Sequence, residues 1–287
     1  MPPYKGLLVS TRHPLATQLP ALLSGGPEKV WLADTLLKDF KRSGSLFSLL
    51  NGELVGLQSN ASFMSQWLQN GRVELLAGPD VSLYLSASAV GTMENVSVLS
   101  TRPRHGLVYV MGAFGLTASF YREPERTSDD DIARTLQFLS SMELEGDVML
   151  SVQAGRDVFR LTGEKGECPA ILHLTSRPVC RMIWEYDPKT GASMGVTPAE
   201  IISSRIQFAL QLLAKLPVSN SFSTETIQAL IKDHPDHFIR WEATRTLLQL
   251  DLNEGLAVLD FLQNDPSNHV RKVARTTYEE LCEMGIC

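Results

Sequence analysis

DHPDHFIRWEATRTLLQLD, from Asp233 to Asp251, is followed by DPSNHVRKVARTTYEEL, from Asp265 to Leu281. Laid over one another at an offset of 31 residues, they put Pro235 on Pro266, Ile239 on Val270, Arg240 on Arg271, Ala243 on Ala274, Leu247 on Tyr278 and Leu250 on Leu281. A fixed period between about 20 and 50 residues is the mark of stacked supersecondary units, none of which covers its own apolar face alone. Within each copy the apolar positions recur at helical spacing, and proline stands ahead of each run, where a helix start loses no backbone donor. A second short amphipathic stretch precedes each proline, with Ile227, Leu230 and Ile231 in one copy and Leu256, Leu259 and Leu262 in the other. The expected unit is helix, proline turn, helix, with breaks near 234, 252 and 266.

The pattern D-P-x-x-x-V-R-x-x-A-x-x-x-L, which the second copy matches from Asp265 to Ala274 with Tyr278 at its last position, resembles the second-helix signature of HEAT repeats, and the resemblance spans residues 223–283. It implies a ladder in which the aspartate of one unit meets the arginine of the previous one, and a small alanine that lets helices approach. Asp265 stands at the aspartate position; the first copy has His234 there, with Asp233 one residue early. Arg240 is therefore expected to meet Asp265. Arg271 has no later copy to meet and is expected to be solvated or to contact a partner. Two units are few for a stack, so TPAEIISSRIQFALQLLAKLP (197–217) is read as a connecting helix, with Thr197 as N-cap, Pro198 at the first helical position and Glu200 completing a capping box.

The chain before this point has a different texture. Between Arg72 and Gly195 the periodicity is two, in runs such as VSLYLSAS (81–88), GLVYVMG (106–112), LTASFYR (116–122), DVMLSVQ (147–153) and VCRMIWEYD (179–187), rich in β-branched and aromatic residues and bounded by Gly or Pro. The AGRD turn at 154–157 reads as a hairpin between DVMLSVQ and VFRLTG. SDDDIARTLQFLSSMEL (128–144), with Ser128 as cap and three aspartates in its first turn, reads as a helix dividing the strands, and VWLADTLLKDFKRS (30–43) and ASFMSQWLQNG (61–71) read as helices ahead of them. LSTRP (99–103) and LTSRP (174–178) hint at a duplicated β module. The expected fold class is α+β: an antiparallel β-rich domain at 1–196, with strands mainly at 72–195, either one barrel or a duplicated module; the connecting helix at 197–217; and a short HEAT-like helical domain at 218–287.

Composition narrows the function. At 287 residues and a net charge of −6 the chain lacks the clustered Lys and Arg of a nucleic-acid surface, and the acidity sits at its end, with eleven acidic side chains against six basic ones from Val218 onward. No apolar run has the length of a signal peptide or a membrane span, so a cytoplasmic location is expected. Cys168, Cys180, Cys282 and Cys287 are too irregularly spaced for a disulfide framework or a paired zinc site, and reduced thiols are expected.

No nucleophile elbow, Walker loop, dinucleotide fingerprint or H-E-x-x-H helix occurs, so no catalytic residue, metal ligand or cofactor is assigned. The strand-rich part is loosely similar to the cupins, a resemblance that implies a small-molecule pocket in a barrel mouth, but their H-x-H…E metal motif is absent. The candidate ligand-binding residues are Arg102 and Arg177, in matching places of the two pentapeptides, and His105 and His173, each beside strands; Arg271 is the candidate interaction residue. The first functional expectation is a non-enzymatic interaction or adaptor protein with a protein partner, no nucleic acid and no membrane. The alternative is a small-molecule or metal-dependent enzyme or sensor with a cupin-like pocket. A lyase or maturation factor of the kind that carries short HEAT-like repeats is a third class, for which no residue speaks.

Overall fold

The computed structural model describes residues 4–59, 67–68, 72–87, 97–124, 135–163, 168–216 and 221–286. The chain divides into two compact units, with the boundary between Val196 and Thr197.

The first unit opens with helices α1 (Leu7–Ser10) and α2 (Leu15–Leu23), a 3-10 segment (Pro27–Ala33), α3 (Asp34–Arg42) and α4 (Ser45–Ser59). Helix α3 has Asp34 in its first turn and Lys41 and Arg42 in its last, the arrangement its dipole favours, and it buries Leu37 and Phe40. These helices cover one face of a six-stranded antiparallel sheet of order β1-β2-β3-β10-β5-β8, built from Trp67–Leu68, Arg72–Ala77, Val81–Ala87, Ala170–Pro178, Arg104–Met111 and Val148–Val152. Val81, Leu83, Leu107, Tyr109, Leu172 and Leu174 meet Leu19, Leu37 and Phe40 in the core between helices and sheet.

Val108, Val110, Leu150, Val152 and Ile171 look the other way, onto a three-stranded sheet of β7 (Gln137–Leu144), β6 (Leu116–Arg122) and β9 (Asp157–Thr162), and form a second core with Leu116, Ala118 and Leu144. A third sheet joins β12 (Ser193–Pro198), β11 (Met182–Tyr186) and β4 (Leu99–Ser100). Strands β3 and β10 pair, β5 and β8 pair, β6 and β7 pair, and β4 lies beside β9. This nesting, outermost with outermost and innermost with innermost, is the strand order of a jelly roll. Backbone hydrogen bonds do not close it into a barrel among the described residues.

Several expectations are corrected here. Residues 137–144 are a strand, not the end of a helix, because they pair along β6 from Leu116↔Leu144 to Arg122↔Gln137; the rest of that proposed helix, 128–134, lies outside the described residues. Trp67 and Leu68, expected in a helix, pair with Val73 and Arg72. The AGRD turn closes no hairpin: β8 before it pairs with β5 and β9 after it pairs with β6, so the turn carries the chain from one sheet to the other. The two pentapeptides are not copies of one module. LTSRP is the end of β10 itself, LSTRP leads into β5 on the neighbouring strand, and they lie against each other, with Val179 N–H donating to Pro103 O at 2.8 Å.

The second unit is helical. Helices α5 (Ile201–Leu213), α6 (Ser221–Asp233), α7 (His237–Leu250), α8 (Leu252–Leu262) and α9 (Asn268–Glu283) share one core containing Leu210, Ile227, Ile239, Ala243, Leu259 and Val270. The expected breaks near 234, 252 and 266 are where α6 gives way to α7, α7 to α8, and α8 to α9. Asp251 caps α8 by accepting Glu254 N–H, and Ser267 caps α9 by accepting Val270 N–H. Gly255 lets α8 approach α7 closely, since a Cβ there would stand 2.7 Å from the Cα of Leu248. Helix α5 starts at Ile201 with Glu200 as N-cap, not at Thr197: Thr197 and Pro198 are held in β12.

The two arginines at matching places of the 31-residue period meet different partners. Arg240 forks onto Asp265, Nε to Oδ2 at 2.8 Å and Nη2 to Oδ1 at 2.6 Å, and its Nη1 donates to the carbonyls of His234 and Pro235. The pair is buried, with side-chain exposures of 8% and 2%. Arg271 repeats half of this: its Nη1 donates to the carbonyls of Asp265 and Pro266 and its Nη2 to Asn268, so it is tied to its own turn and not simply solvated. Cys168 and Cys180 are in no disulfide, whereas Cys282 is disulfide-bonded, against the expectation of reduced thiols. Among the described residues no helix is long and apolar enough to cross a membrane.

Candidate functional site

The face of the large sheet that looks toward the second sheet is not uniformly apolar. Register pairing sets Glu74, Tyr84, His173, Val108 and Leu150 in one row across β2, β3, β10, β5 and β8. A neighbouring row holds Arg72, Ser86, Ile171, Val110 and Val148. Both run from polar to apolar, and the change falls at β10. The pleat enforces this: in VSLYLSA the alternate residues Val81, Leu83 and Leu85 go to the helix side, which leaves Ser82, Tyr84 and Ser86 on the face between the sheets.

His173 stands at the change, on a strand flanked on both sides, and only 8% of it is exposed. Tyr84 stacks on its ring at 4.6 Å between centroids with an interplanar angle of 15°. Ser86 Oγ lies 3.0 Å from its Nε2, and its Nδ1 is buried with no hydrogen-bond partner among the described residues. Burial, then the positive charges of Arg102 and Arg72, push its pKa down to about 3, so the imidazole is neutral at physiological pH.

Arg102 reaches in from the segment between β4 and β5, with its guanidinium 4.7 Å over the ring of Phe159. Its backbone is fixed on both sides. Thr101 exchanges hydrogen bonds with Trp184, N–H to carbonyl at 2.9 Å and Oγ1 from N–H at 2.9 Å, and Arg102 O accepts Gly155 N–H at 2.8 Å. Among the described residues the Arg102 guanidinium has no ion pair and no hydrogen bond, and burial pulls its pKa down from the ordinary arginine value, with Arg72 pushing the same way and Tyr84 against. Arg72 sits 5.0 Å over the other aromatic ring, that of Tyr84. Glu74, at the polar end of its row, is paired with Lys5. Apart from these residues, a cavity of about 300 Å³ at β6, β8 and β9 is lined by Phe120, Leu150, Ser151 and Phe159 and by the ion-paired Arg122 and Asp157, and neither His173 nor Arg102 lines it.

Of the four residues expected to bind a ligand, this arrangement brings together Arg102 and His173. His105 is on the opposite face of the sheet, packed edge-on to Trp31 at 4.9 Å, and its Nδ1 accepts Ala154 N–H; it braces the β8–β9 corner. Arg177 is exposed at the end of β10, because the two pentapeptides are neighbours and not equivalents. Tyr84, Ser86, Arg72 and Phe159 were not anticipated; the alternation in 81–87 marks the first two, but a polar strand face reads as solvent-facing until a second sheet is known to cover it.

A divalent metal, which the cupin resemblance would imply, does not fit. Among the described residues no three His, Cys, Asp or Glu side chains converge, and the one histidine at this site is flanked by two arginines, whose field opposes a cation.

No family model matches the chain, and no curated protein matches it. Among solved structures it is similar to a cobalt(II) form of HppE in complex with substrate (9% identity, 40% of this chain and 59% of that one, TM-score 0.26). It is also similar to an uncharacterised protein with a double-stranded β-helix domain from Klebsiella pneumoniae (9% identity, 50% and 95%, TM-score 0.25) and to a sugar phosphate isomerase of the cupin superfamily from Silicibacter pomeroyi (10% identity, 48% and 83%, TM-score 0.24). The chain spans about three fifths of the length of HppE. At these TM-scores the likenesses carry no argument about chemistry, and the jelly-roll order rests on the strand pairing above.

Proposed function

We propose that the first unit binds a small organic molecule between its two sheets, as a ligand-responsive protein or enzyme of cupin-like architecture without the cupin metal set. The observation that carries this is a polar half-face on the large sheet: among the described residues, a buried histidine nitrogen without a partner, its ring stacked on a tyrosine, and an arginine fixed at its backbone and unpaired at its guanidinium. Buried polar groups are normally satisfied, and each exception calls for a reason. A ligand supplies one, and sites of this kind combine an apolar wall with a few convergent polar groups. Saturation-transfer NMR against a panel of small organic acids, amides and alcohols tests it: some members bind the wild type and not His173→Phe, whereas identical profiles for the two proteins refute the site.

A second reading concerns the other unit. The 31-residue period and the Arg240–Asp265 fork favour a HEAT-like pair of helical hairpins, a module suited to holding a protein partner. On this reading the protein is an adaptor whose β unit senses a small molecule. Deletion of 218–287 is then expected to leave small-molecule binding intact and to abolish partner capture.

A further inference from the structure

We infer that helix α5 is a seam between two copies of this chain, packed antiparallel about a two-fold axis near Phe208, with Phe208 of each copy seated in the α5–α6 groove of the other. The inference depends on neither reading above.

Helix α5 has more apolar surface than its own unit covers. One face serves the helical core: Ser203 and Leu210 are buried, Ile206 packs beside them, and the helix is tied down by Ser203 Oγ donating to Asp236 at 2.7 Å and by Thr246 Oγ1 donating to Leu210 O. A second stripe looks outward. Ile201, Phe208 and Leu212 follow one another at helical spacing with Arg205 between them, and the turn after the helix adds Leu216. All four apolar members are exposed, Phe208 to 62%. Apolar residues scattered singly over a surface need no reason, whereas a continuous stripe marks a place of contact.

A groove runs beside the stripe. Helices α5 and α6 both pack on α7, and between them lies a cleft of about 260 Å³, lined by Ile206, Ala209 and Leu213 of α5 and by Thr226, Ile227 and Leu230 of α6. Its walls are apolar, with small Ala209 at the lip next to Phe208. A ridge and a groove side by side on one helix make the surface self-complementary, because a two-fold rotation lays the ridge of each copy in the groove of the other. An aromatic side chain in a pocket is the usual centre of such an interface.

Charge favours a second copy as the occupant and fixes its direction. Glu200, just before α5, and Lys215, just after it, are exposed, and neither has an ion pair among the described residues. Glu200 and Lys215 stand nearly equally far from Phe208 on either side. An antiparallel pair therefore sets Glu200 of each copy against Lys215 of the other at both ends, and Arg205 against the neutral Gln211; a parallel pair would set like charges together. These exposed pairs give register more than affinity. The seam is short, since the 13 residues of α5 span roughly 20 Å at about 1.5 Å per residue. The dimer is accordingly expected to be weak and reversible.

Sedimentation velocity of the full chain over micromolar concentrations tests this, with circular dichroism of each variant to confirm its fold. The wild type is expected to show a reversible monomer–dimer equilibrium. Phe208→Asp, which alters a side chain exposed in the single copy, should weaken it at least about thirtyfold, as loss of a central anchor does. Glu200→Lys and Lys215→Glu should each weaken it, and the two together should restore it, because each end pair is remade with its signs exchanged. A wild type that stays monomeric at every concentration would overturn the inference and leave α5 to an occupant other than this chain. A dimer that Phe208→Asp leaves unchanged would place the seam elsewhere and overturn it equally. A double exchange weaker than either single one would overturn the antiparallel direction.

Discussion

Arg240 in the helical unit is buried and Arg102 in the β unit half-buried, and they are treated in opposite ways. Arg240 is saturated: a two-pronged ion pair with Asp265 and two backbone carbonyls at its remaining nitrogen. Arg102 is positioned with equal care through its backbone, yet its guanidinium meets only an aromatic face. A charge removed from water and fully paired specifies how elements sit together; one that is fixed, half-buried and left unpaired is available to something else. The same residue type thus serves architecture in one unit and recognition in the other, and the contrast can be attacked from either side.

The largest effect is expected at Arg240. Arg240→Ala strands Asp265, which is buried and otherwise accepts only Ser267 N–H at 2.7 Å, so the helical unit should lose about 3 to 5 kcal/mol, the usual cost of breaking a buried pair. Arg240→Lys should recover little, because an ammonium cannot reach both carboxylate oxygens and two carbonyls from one stem. Denaturant unfolding followed by circular dichroism at about 222 nm, the helical signal, measures it. A loss under about 1 kcal/mol would make the fork an ornament of the stack.

Acid should act next, and on the other unit. The folded-state pKa of His173 is about 3 against an ordinary value of 6.5, and Arg102 and Arg72 are the charged groups facing it. Between those values the unfolded chain binds one proton more than the folded one, so stability is full above about pH 6.5 and falls as pH drops toward 3, by up to about 1.4 kcal/mol per pH unit. Asp147, held below the usual carboxylate range by Lys41 and by the N–H of Gly112, adds a slope of the same sign at lower pH. His173→Gln should flatten the His173 part and leave the Asp147 part. Unfolding midpoints across that range, wild type against variant, check it; parallel curves would place His173 in water. A smaller effect is expected at Arg271, whose partners are two carbonyls of its own turn and Asn268: Arg271→Ala should cost about 1 kcal/mol, well short of Arg240→Ala.

What could be read beforehand differs between the units for a physical reason. In the helices one period settles almost everything, since Ile239, Ala243, Leu247, Val270 and Ala274 fall on one stripe and all are buried in the core. The Arg240–Asp265 pair was expected from the resemblance to HEAT repeats, and the two side chains do meet. In the β unit the strands at 81–87, 106–111 and 116–122 were legible by alternation, but which strands pair was not, because pairing in a jelly roll is set by contacts far apart in the chain, such as β3 with β10. Residues 137–144 misled because Leu136 and Leu139 satisfy a helical spacing, while the segment is an edge strand with little buried surface to reveal its period. The site suffered most. Tyr84 and Ser86 look like a solvent face until the second sheet covers them, whereas Arg102 and His173 stood out because charge and imidazole are unusual among strands.

Arg102 is where the comparison is most exposed, and there the smallest change in stability is expected. If it is held for a ligand, Arg102→Gln removes a half-buried cation that has no ionic partner among the described residues and gives up only a contact with Phe159, worth about 0.5 to 2 kcal/mol. The two terms oppose, so the ligand-free protein should change by less than about 1 kcal/mol in either direction, while the His173 midpoint rises, because one of the two positive charges that depress it is gone. Stability and the His173 titration should therefore part company in this variant: the first nearly still, the second displaced toward neutral pH. A structural arginine would move them otherwise. Were Arg102→Gln to unfold the β unit as Arg240→Ala unfolds the helices, with no displaced titration left to measure, both arginines would be architectural and the contrast between the two units would disappear.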